Sequence, residues 1–304
     1  MGRFFVAGLV NLETTLLIDG FPLDYFPVRY PFFGLHSNVS GVGYNVAKAL
    51  KTLGNHVDFA SLIGSDQNGR LARGMLTEIG LQDGLVLDML DATAQSVILY
   101  DPCGRRQIHV DLKDIQSKAY PLHLAETALQ SCDLAVICNI NFARPLLAVA
   151  RDAGKPIATD VHALADYDDD YNRDYMAAAT ILFLSNDCLP DTPEAAAEYL
   201  FGRYQPEIVV IGLGAHGALL AVQKDNFIGR FPVVRTRELV NTIGAGDALF
   251  SAFLDRYLRF RDPYAALQAA LVFSSYKIGE KGAGEGFLSS DELDVWISKT
   301  DKEH

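Results

Sequence analysis

Asn241-Thr242-Ile243-Gly244-Ala245-Gly246-Asp247 is a glycine-rich turn that runs straight into a helix. Behind it Leu249, Phe250, Phe253, Leu254, Tyr257 and Leu258 recur at helical spacing, which makes one apolar face. Gly244 and Gly246 allow close backbone approach and dihedrals closed to other residues. Free N–H groups point outward at a helix start, and the helix dipole favours negative charge there. The turn therefore reads as an anion cradle. Asp247 stands in the first helical turn beside it. It has two possible roles: it only stabilises the helix start, or it takes a proton from a hydroxyl that attacks a phosphoryl group.

Composition bounds the rest. The chain has 304 residues, 49% hydrophobic and 21% charged, which suits one large α/β domain with at most a small appendage. A formal net charge of −12 argues against nucleic acid or an anionic membrane as partner. Cys103, Cys132, Cys138 and Cys188 show no metal-like spacing and read as free thiols in a reducing cytosol. No apolar run has membrane-spanning length. Phe4–Val10 is too short for a signal segment and reads as a buried first strand.

Short apolar strands then alternate with helical segments. Strands are expected at Arg3–Val10, Val57–Ile63, Asp133–Cys138, Pro156–Asp160, Ile181–Ser185 and Ile208–Ile211. Helices are expected at Asp66–Ile79 (with Leu71, Met75, Leu76 and Ile79 inward), Pro145–Asp152, Asp170–Ala179, Glu194–Phe201, Pro263–Gly279 and Ser290–Ile297. That alternation implies a parallel sheet with helices on both faces. Ligands of such sheets sit beyond the C-terminal strand ends. Asn11, Glu13, Asn139, Asp160, Asn186 and Gly212 all fall at expected ends. Residues Thr14–Asn38, rich in aromatics and prolines, read as strands of a separate small sheet, and Gln95–Tyr100 with Arg106–Val110 as a hairpin. Arg105 and Arg106 read as solvated turn charges. Gly212-Leu213-Gly214-Ala215-His216-Gly217 satisfies a dinucleotide fingerprint, but Ala218–Val222 and Phe227–Phe231 read as a hairpin where that fingerprint needs a helix.

Two stretches carry a family likeness. One is Asn241 through Ala252. The other is Ser40-Gly41-Val42-Gly43-Tyr44-Asn45-Val46-Ala47, followed by a helix to Leu53, then Gly54 and Gly64. Together, in order and spacing, they resemble the PfkB (ribokinase-like) family of sugar and nucleoside kinases over essentially the whole chain. The resemblance implies a single domain over 1–304: a three-layer αβα fold with a mainly parallel, doubly wound sheet. It also implies a β-sheet lid from about 14–38 and 93–112, which often pairs two subunits. The implied partners are a small sugar or nucleoside, ATP and a second copy of the chain, in the cytoplasm.

The same resemblance distributes roles. Asp247 would be the general base, with the Gly244-Ala245-Gly246 amides as anion hole. Asn11, Glu13, Gly41, Gly43 and Asn45 would hold the substrate; the bland alternative for Glu13 is a solvated loop carboxylate. Asn186, Gly212, Gly214, Gly217 and Gly282 would line ATP, with Mg²⁺ on its phosphates. Asp160 or Asp187 is a candidate Mg²⁺ ligand, and Asn241 a candidate for a monovalent cation such as K⁺. Departures are specific. Ser40 replaces a glycine, and Val42 replaces the lysine of ribokinases proper, which counts against ribose. Leu189 replaces the Glu of N-x-x-E, and Asn241 replaces an Asp. A nucleoside kinase, with Tyr44 or lid aromatics stacking a base, and a non-catalytic binding protein are the rival readings.

Overall fold

The strand Arg3–Ala7 explains the layering. Its side chains alternate, Phe4 and Val6 entering one apolar core and Phe5 and Ala7 the other, all fully buried. A strand apolar on both faces needs cover on both. Fully burying a Phe contributes about 1.5–3 kcal/mol, so leaving either face bare would be costly.

The computed structural model describes residues 1–300, so the last four residues of the expected domain lie outside the described residues. In chain order the elements are β1 (Arg3–Ala7), β2 (Asn11–Leu17), β3 (Leu35–Ser40), α1 (Val42–Thr52), β4 (His56–Gly64), α2 (Gln67–Glu78), β5 (Val86–Leu90), β6 (Gln95–Tyr100), β7 (Arg106–Asp111) and α3 (Leu122–Ser131). They continue as β8 (Leu134–Ile137), α4 (Leu146–Asp152), β9 (Ile157–Ala163), α5 (Arg173–Ala178), β10 (Ile181–Ser185), α6 (Pro193–Tyr204), β11 (Ile208–Gly212), β12 (Ala218–Val222), β13 (Phe227–Phe231), α7 (Ala245–Phe260), α8 (Pro263–Lys277) and α9 (Ser290–Thr300).

The main sheet has nine strands in the order β13-β12-β11-β10-β9-β8-β1-β4-β5. All neighbours are parallel except β11/β12 and β12/β13, the hairpin after Gly217. Side chains of α1, α2, α7, α8 and α9 pack into one core, and those of α3, α4, α5 and α6 into the other. The expected three-layer fold is present. A second sheet, β3-β2-β6-β7, stands where the lid was expected, with β2/β6 parallel and its other pairs antiparallel.

Several expectations need correction. β1 ends at Ala7, because Gly8 turns its backbone onto Gly43: a Cβ on Gly8 would lie 2.7 Å from Gly43 Cα. Asn11 and Glu13 therefore belong to the lid strand β2, not to a loop at the end of β1. Residues 18–34 contain no strand, and Tyr25 and Phe33 there are 92% and 98% exposed. Asp160 lies within β9, which runs on to Ala163. Leu71 faces solvent, and Ala72 takes its inward place on α2. The strand β5 and the helix α3 were not expected.

Two polar devices fix the helices that build the site. Asp66 caps α2, accepting from Gly69 N at 2.9 Å and from Thr93 Oγ1 at 2.6 Å. Asp255, wholly buried in α7, accepts from Asn55 Nδ2 at 2.7 Å and from Arg259 Nε at 2.9 Å, tying α7 to the end of α1. Gly69 is a steric requirement: a Cβ there would come within 1.9 Å of the Gly64 carbonyl oxygen. Gly69→Ala should cost about 1–3 kcal/mol through overpacking. Urea melts should show a lower midpoint at unchanged slope; an unchanged midpoint would refute the close contact.

Candidate active site

The helix α7 begins at Gly244, whose φ of 75° is a left-handed value that favours glycine. A Cβ at Gly244 would also lie 2.5 Å from the Ala283 carbonyl oxygen. The N–H groups of Gly244 and Gly246 have no acceptor among the described residues. The Ala245 N–H does: it donates to Thr242 O at 3.2 Å. The expected three-amide anion hole is thus narrowed to the amides of the two glycines. Ser274 Oγ donates to Ala245 O at 2.8 Å and Ser251 Oγ to Asp247 O at 2.6 Å, so the first turn is held from behind.

Three segments, β2, β3 and α1, lead to Asp247. Asn45 Nδ2, from α1, donates to Asp247 Oδ2 at 2.7 Å. Asn45 lies 3.3 Å from Ser40 Oγ, and Ser40 Oγ donates to Glu13 Oε2 at 3.1 Å. Glu13, Ser40, Asn45 and Asp247 form one hydrogen-bonded chain. Asn11 lies on the same strand as Glu13; its Nδ2 donates to Ser96 Oγ at 3.0 Å, and its buried Oδ1 has no partner among the described residues. That orphan acceptor suits a ligand hydroxyl. Gly41, at φ 107°, and Gly43 make the approach possible: a Cβ on Gly43 would lie 2.4 Å from the Gly8 carbonyl carbon. The room Gly43 vacates is thus taken by β1's end, seating α1 on the strand.

The electrostatics are unusual. Burial pushes the Asp247 carboxyl up to about 6, against the Asn45 hydrogen bond; His162 and Lys277 lower it, and Asp160 raises it. Burial likewise raises Glu13, with Asp247 adding to the rise, while Ser40, the Ala283 amide and Lys277 oppose it. Two withdrawn carboxylates thus face one another across Ser40 and Asn45.

Several of the other expected site residues fall at the ends of main-sheet strands. Asn186 comes directly after β10, its N–H donating to Gly212 O at 2.9 Å, and its side chain is exposed. Gly214 has φ 56° with open space at its Cβ position. Gly217 has φ 92°, and a Cβ there would lie 2.0 Å from Phe231 O, so its lack of a side chain lets the end of β13 lie against the start of β12. Gly282, expected beside ATP, sits against the lid: its N–H donates to Glu285 Oε2 at 3.0 Å, and Glu285 also meets His36 and Asn38 of β3. Asp160 accepts from His162 N at 2.9 Å, with His162 Nδ1 at 3.9 Å from its Oδ2. Asp187 is exposed after β10. Asn241 Nδ2 donates to Lys281 O at 2.7 Å, and its Oδ1 accepts from Ile243 N at 3.0 Å. Tyr44 is fully buried and unavailable to stack a base.

The lid reaches this centre. Ile98 of β6 clusters with Ile243 and Ala283. Arg106 of β7 donates to Thr242 O at 3.0 Å and Oγ1 at 2.8 Å, so it is not the free turn charge that was expected.

The pfkB family carbohydrate kinase model matches residues 31–290. The chain belongs to that family. Acarbose 7(IV)-phosphotransferase of Actinoplanes sp. is 26% identical over 275 residues, covering 89% of this chain and 90% of the relative. ATP-dependent ribose-1-phosphate kinase of Halopiger xanaduensis is 26% identical over 291 residues, covering 93% and 94%. Among solved structures, a microbiome-derived acarbose kinase superposes at TM-score 0.88 with 24% identity, covering 98% of this chain and 99% of that one. A Burkholderia thailandensis nucleoside kinase, solved with inosine, superposes at 0.77 with 17% identity, covering 98% of both chains. These superpositions establish the ribokinase-like fold. Enzymes of the family transfer phosphate to hydroxyl groups, so the protein is a sugar or nucleoside kinase.

Residues that sequence reasoning missed are Arg106, Lys277, His162 and Glu285 in this kinase. His162 carries one retrospective sign, a positive φ of 58° that a non-glycine residue seldom adopts. Asn45→Ala removes the donor that favours the charged Asp247, so the Asp247 titration midpoint should move above about 6. Carboxyl ¹³C shifts followed against pH would check this; an unmoved or lowered midpoint refutes the bond's role.

Proposed function

We propose that this kinase transfers the γ-phosphoryl group of ATP to a hydroxyl, primary by preference, of a sugar-like substrate, with Asp247 as general base. The observation that carries this reading is the chain Glu13–Ser40–Asn45–Asp247, which ends beside the unpaired Gly244 and Gly246 amides. Glu13, the open Oδ1 of Asn11 and Asn45 orient substrate hydroxyls. Asp247 accepts the proton of the attacking hydroxyl as its oxygen bonds to the γ-phosphorus and the β–γ bridging bond breaks. The two glycine amides and the helix start stabilise the charge on the transferring group. Asn186, Gly212, Gly214 and Gly217 form the ATP side.

The residues fit a Mg²⁺ that arrives on ATP. Among the described residues no three His, Cys, Asp or Glu side chains cluster to hold a metal alone. Mg²⁺ needs only one or two carboxylates beside phosphates, and Asp160 has a carboxylate oxygen available near Asp247. When bound it neutralises charge on the β- and γ-phosphates. Arg106 and the Ile98 cluster hold the lid to the catalytic turn, which supports exclusion of water.

The buried Tyr44 weighs against base stacking, and the acarbose and ribose-1-phosphate enzymes both act on sugar-like compounds by name. ADP release should be measured with ATP and Mg²⁺ on pentoses, hexoses, sugar 1-phosphates, acarbose-like oligosaccharides and nucleosides. Turnover is expected on one sugar class; turnover confined to nucleosides would overturn the substrate reading. Asp247→Asn should lower kcat by about 10²–10⁴-fold while ATP still raises Tm; near-normal turnover would remove Asp247 as the base. In the wild type, kcat/KM should fall as pH drops through about 6, where Asp247 gains its proton.

The lid also supports a homodimer. Leu35, Val97, Ile108 and Val110 are 43–61% exposed beside the bare aromatics of residues 18–34. Monomers rarely leave so large an apolar surface uncovered. Light scattering should return twice the 33.3 kDa chain mass, and the single-chain mass at tens of micromolar would refute it.

A further inference from the structure

Lys277, the last residue of α8, is wholly buried, which is rare for lysine without a partner. Its ammonium donates to the Ile243 carbonyl, its one hydrogen-bond partner among the described residues. Among the described residues no carboxylate lies within ion-pair distance, yet Asp247 and Glu13 are both near enough to bear on it. Ile243 belongs to the turn that ends at Asp247. The peptide that joins Ile243 to Gly244 is planar and trans, so its C=O and N–H point in opposite directions. Fixing the carbonyl on Lys277 therefore aims the Gly244 N–H away from α8, and that N–H is one of the two unpaired amides.

The resemblance implies a monovalent cation beside this turn, and the residues do not fit one. Asn241 brings no charge where an acid was expected. It presents an N–H to Lys281 O, and its own oxygen is taken by Ile243 N. The Ile243 carbonyl already holds a cationic group.

We propose that the Lys277 ammonium is the resident cation of the site, a positioning residue that holds the Ile243 carbonyl and so aims the anion hole without a monovalent metal ion. The proposal rests on reading the Gly244–Asp247 turn as the phosphoryl-transfer site. Burial lowers the Lys277 ammonium to about 8, with Asp247 and Glu13 holding it up, so it keeps its proton at neutral pH.

The test compares K⁺, Na⁺ and choline at one ionic strength. Wild-type Tm should be the same in all three within about 1 °C, and turnover on the sugar substrate the same within about twofold. Stabilisation of the wild type by K⁺, or a requirement for K⁺ in turnover, overturns the proposal. Lys277→Ala should lose at least about tenfold in kcat with little change in KM for ATP. Ammonium or K⁺, but not choline, should recover part of that loss, which a purely structural lysine would not allow. Lys277→Ala with wild-type kcat in choline also overturns it. The Tm comparison needs neither substrate nor variant. Failure of the kinase reading, seen as no turnover on any substrate, is thereby distinct from failure here, seen as stabilisation by K⁺.

Discussion

A carboxylate withdrawn from water has to be compensated, and Asp247 sets that condition for everything around it. Removing an ion from water costs several kcal/mol even after relaxation. A second withdrawn carboxylate, Glu13, adds to the cost. Three devices offset it: the start of α7, whose dipole favours negative charge; the amide of Asn45; and the Lys277 ammonium nearby. The compensation is incomplete. Asp247 stays above the ordinary carboxylate range, which moves it toward the neutral range where a general base works best.

The sheet explains how such distant residues meet. Asn45 and Asp247 are 202 positions apart, and Ser40 and Glu13 are 27 apart. β1 lies inside the main sheet between β8 and β4, so the chain leaving it emerges at the C-terminal edge, where parallel sheets place their ligands. α1 seats on that edge through the Gly8–Gly43 contact. α7 is then fixed to α1 by the buried Asn55–Asp255 bond at the far end. The turn before Asp247 has little freedom left.

Much of this was legible because the decisive signals are local. Apolar strands buried on both faces, the hairpin after Gly217 and the glycine turns at residues 41–43 and 244–246 are each set by composition at short range. The features that were not legible depend on burial or on tertiary partners. The edge strand β5 is five residues long, and α3 buries only Ala125 and Leu129, too little to make a periodic signal. The aromatics of 18–34 have strand-like composition, but no partner strand captures them. Lys277 reads as an ordinary basic residue at a helix C-terminus, and Arg106 as a hairpin charge. Ser40 reads as a lost glycine, yet its hydroxyl is the link between Glu13 and Asn45.

The turn itself shows why those misread residues matter. Each peptide in it has two polar ends. In the Thr242–Ile243 peptide both are taken: the carbonyl by Arg106 and by Ala245 N, the N–H by Asn241. In the Ile243–Gly244 peptide only the carbonyl is taken, by Lys277. The first peptide is thereby an anchor, and the second has one fixed end and one end free for a ligand. Arg106 comes from the lid and Lys277 from α8. The direction of the free amide is consequently set jointly by a core helix and by the lid. Lifting the lid would take Arg106 from the Thr242 carbonyl and leave it on the Ala245 N–H alone, so the anchor is held from outside its own turn only while the lid rests on it.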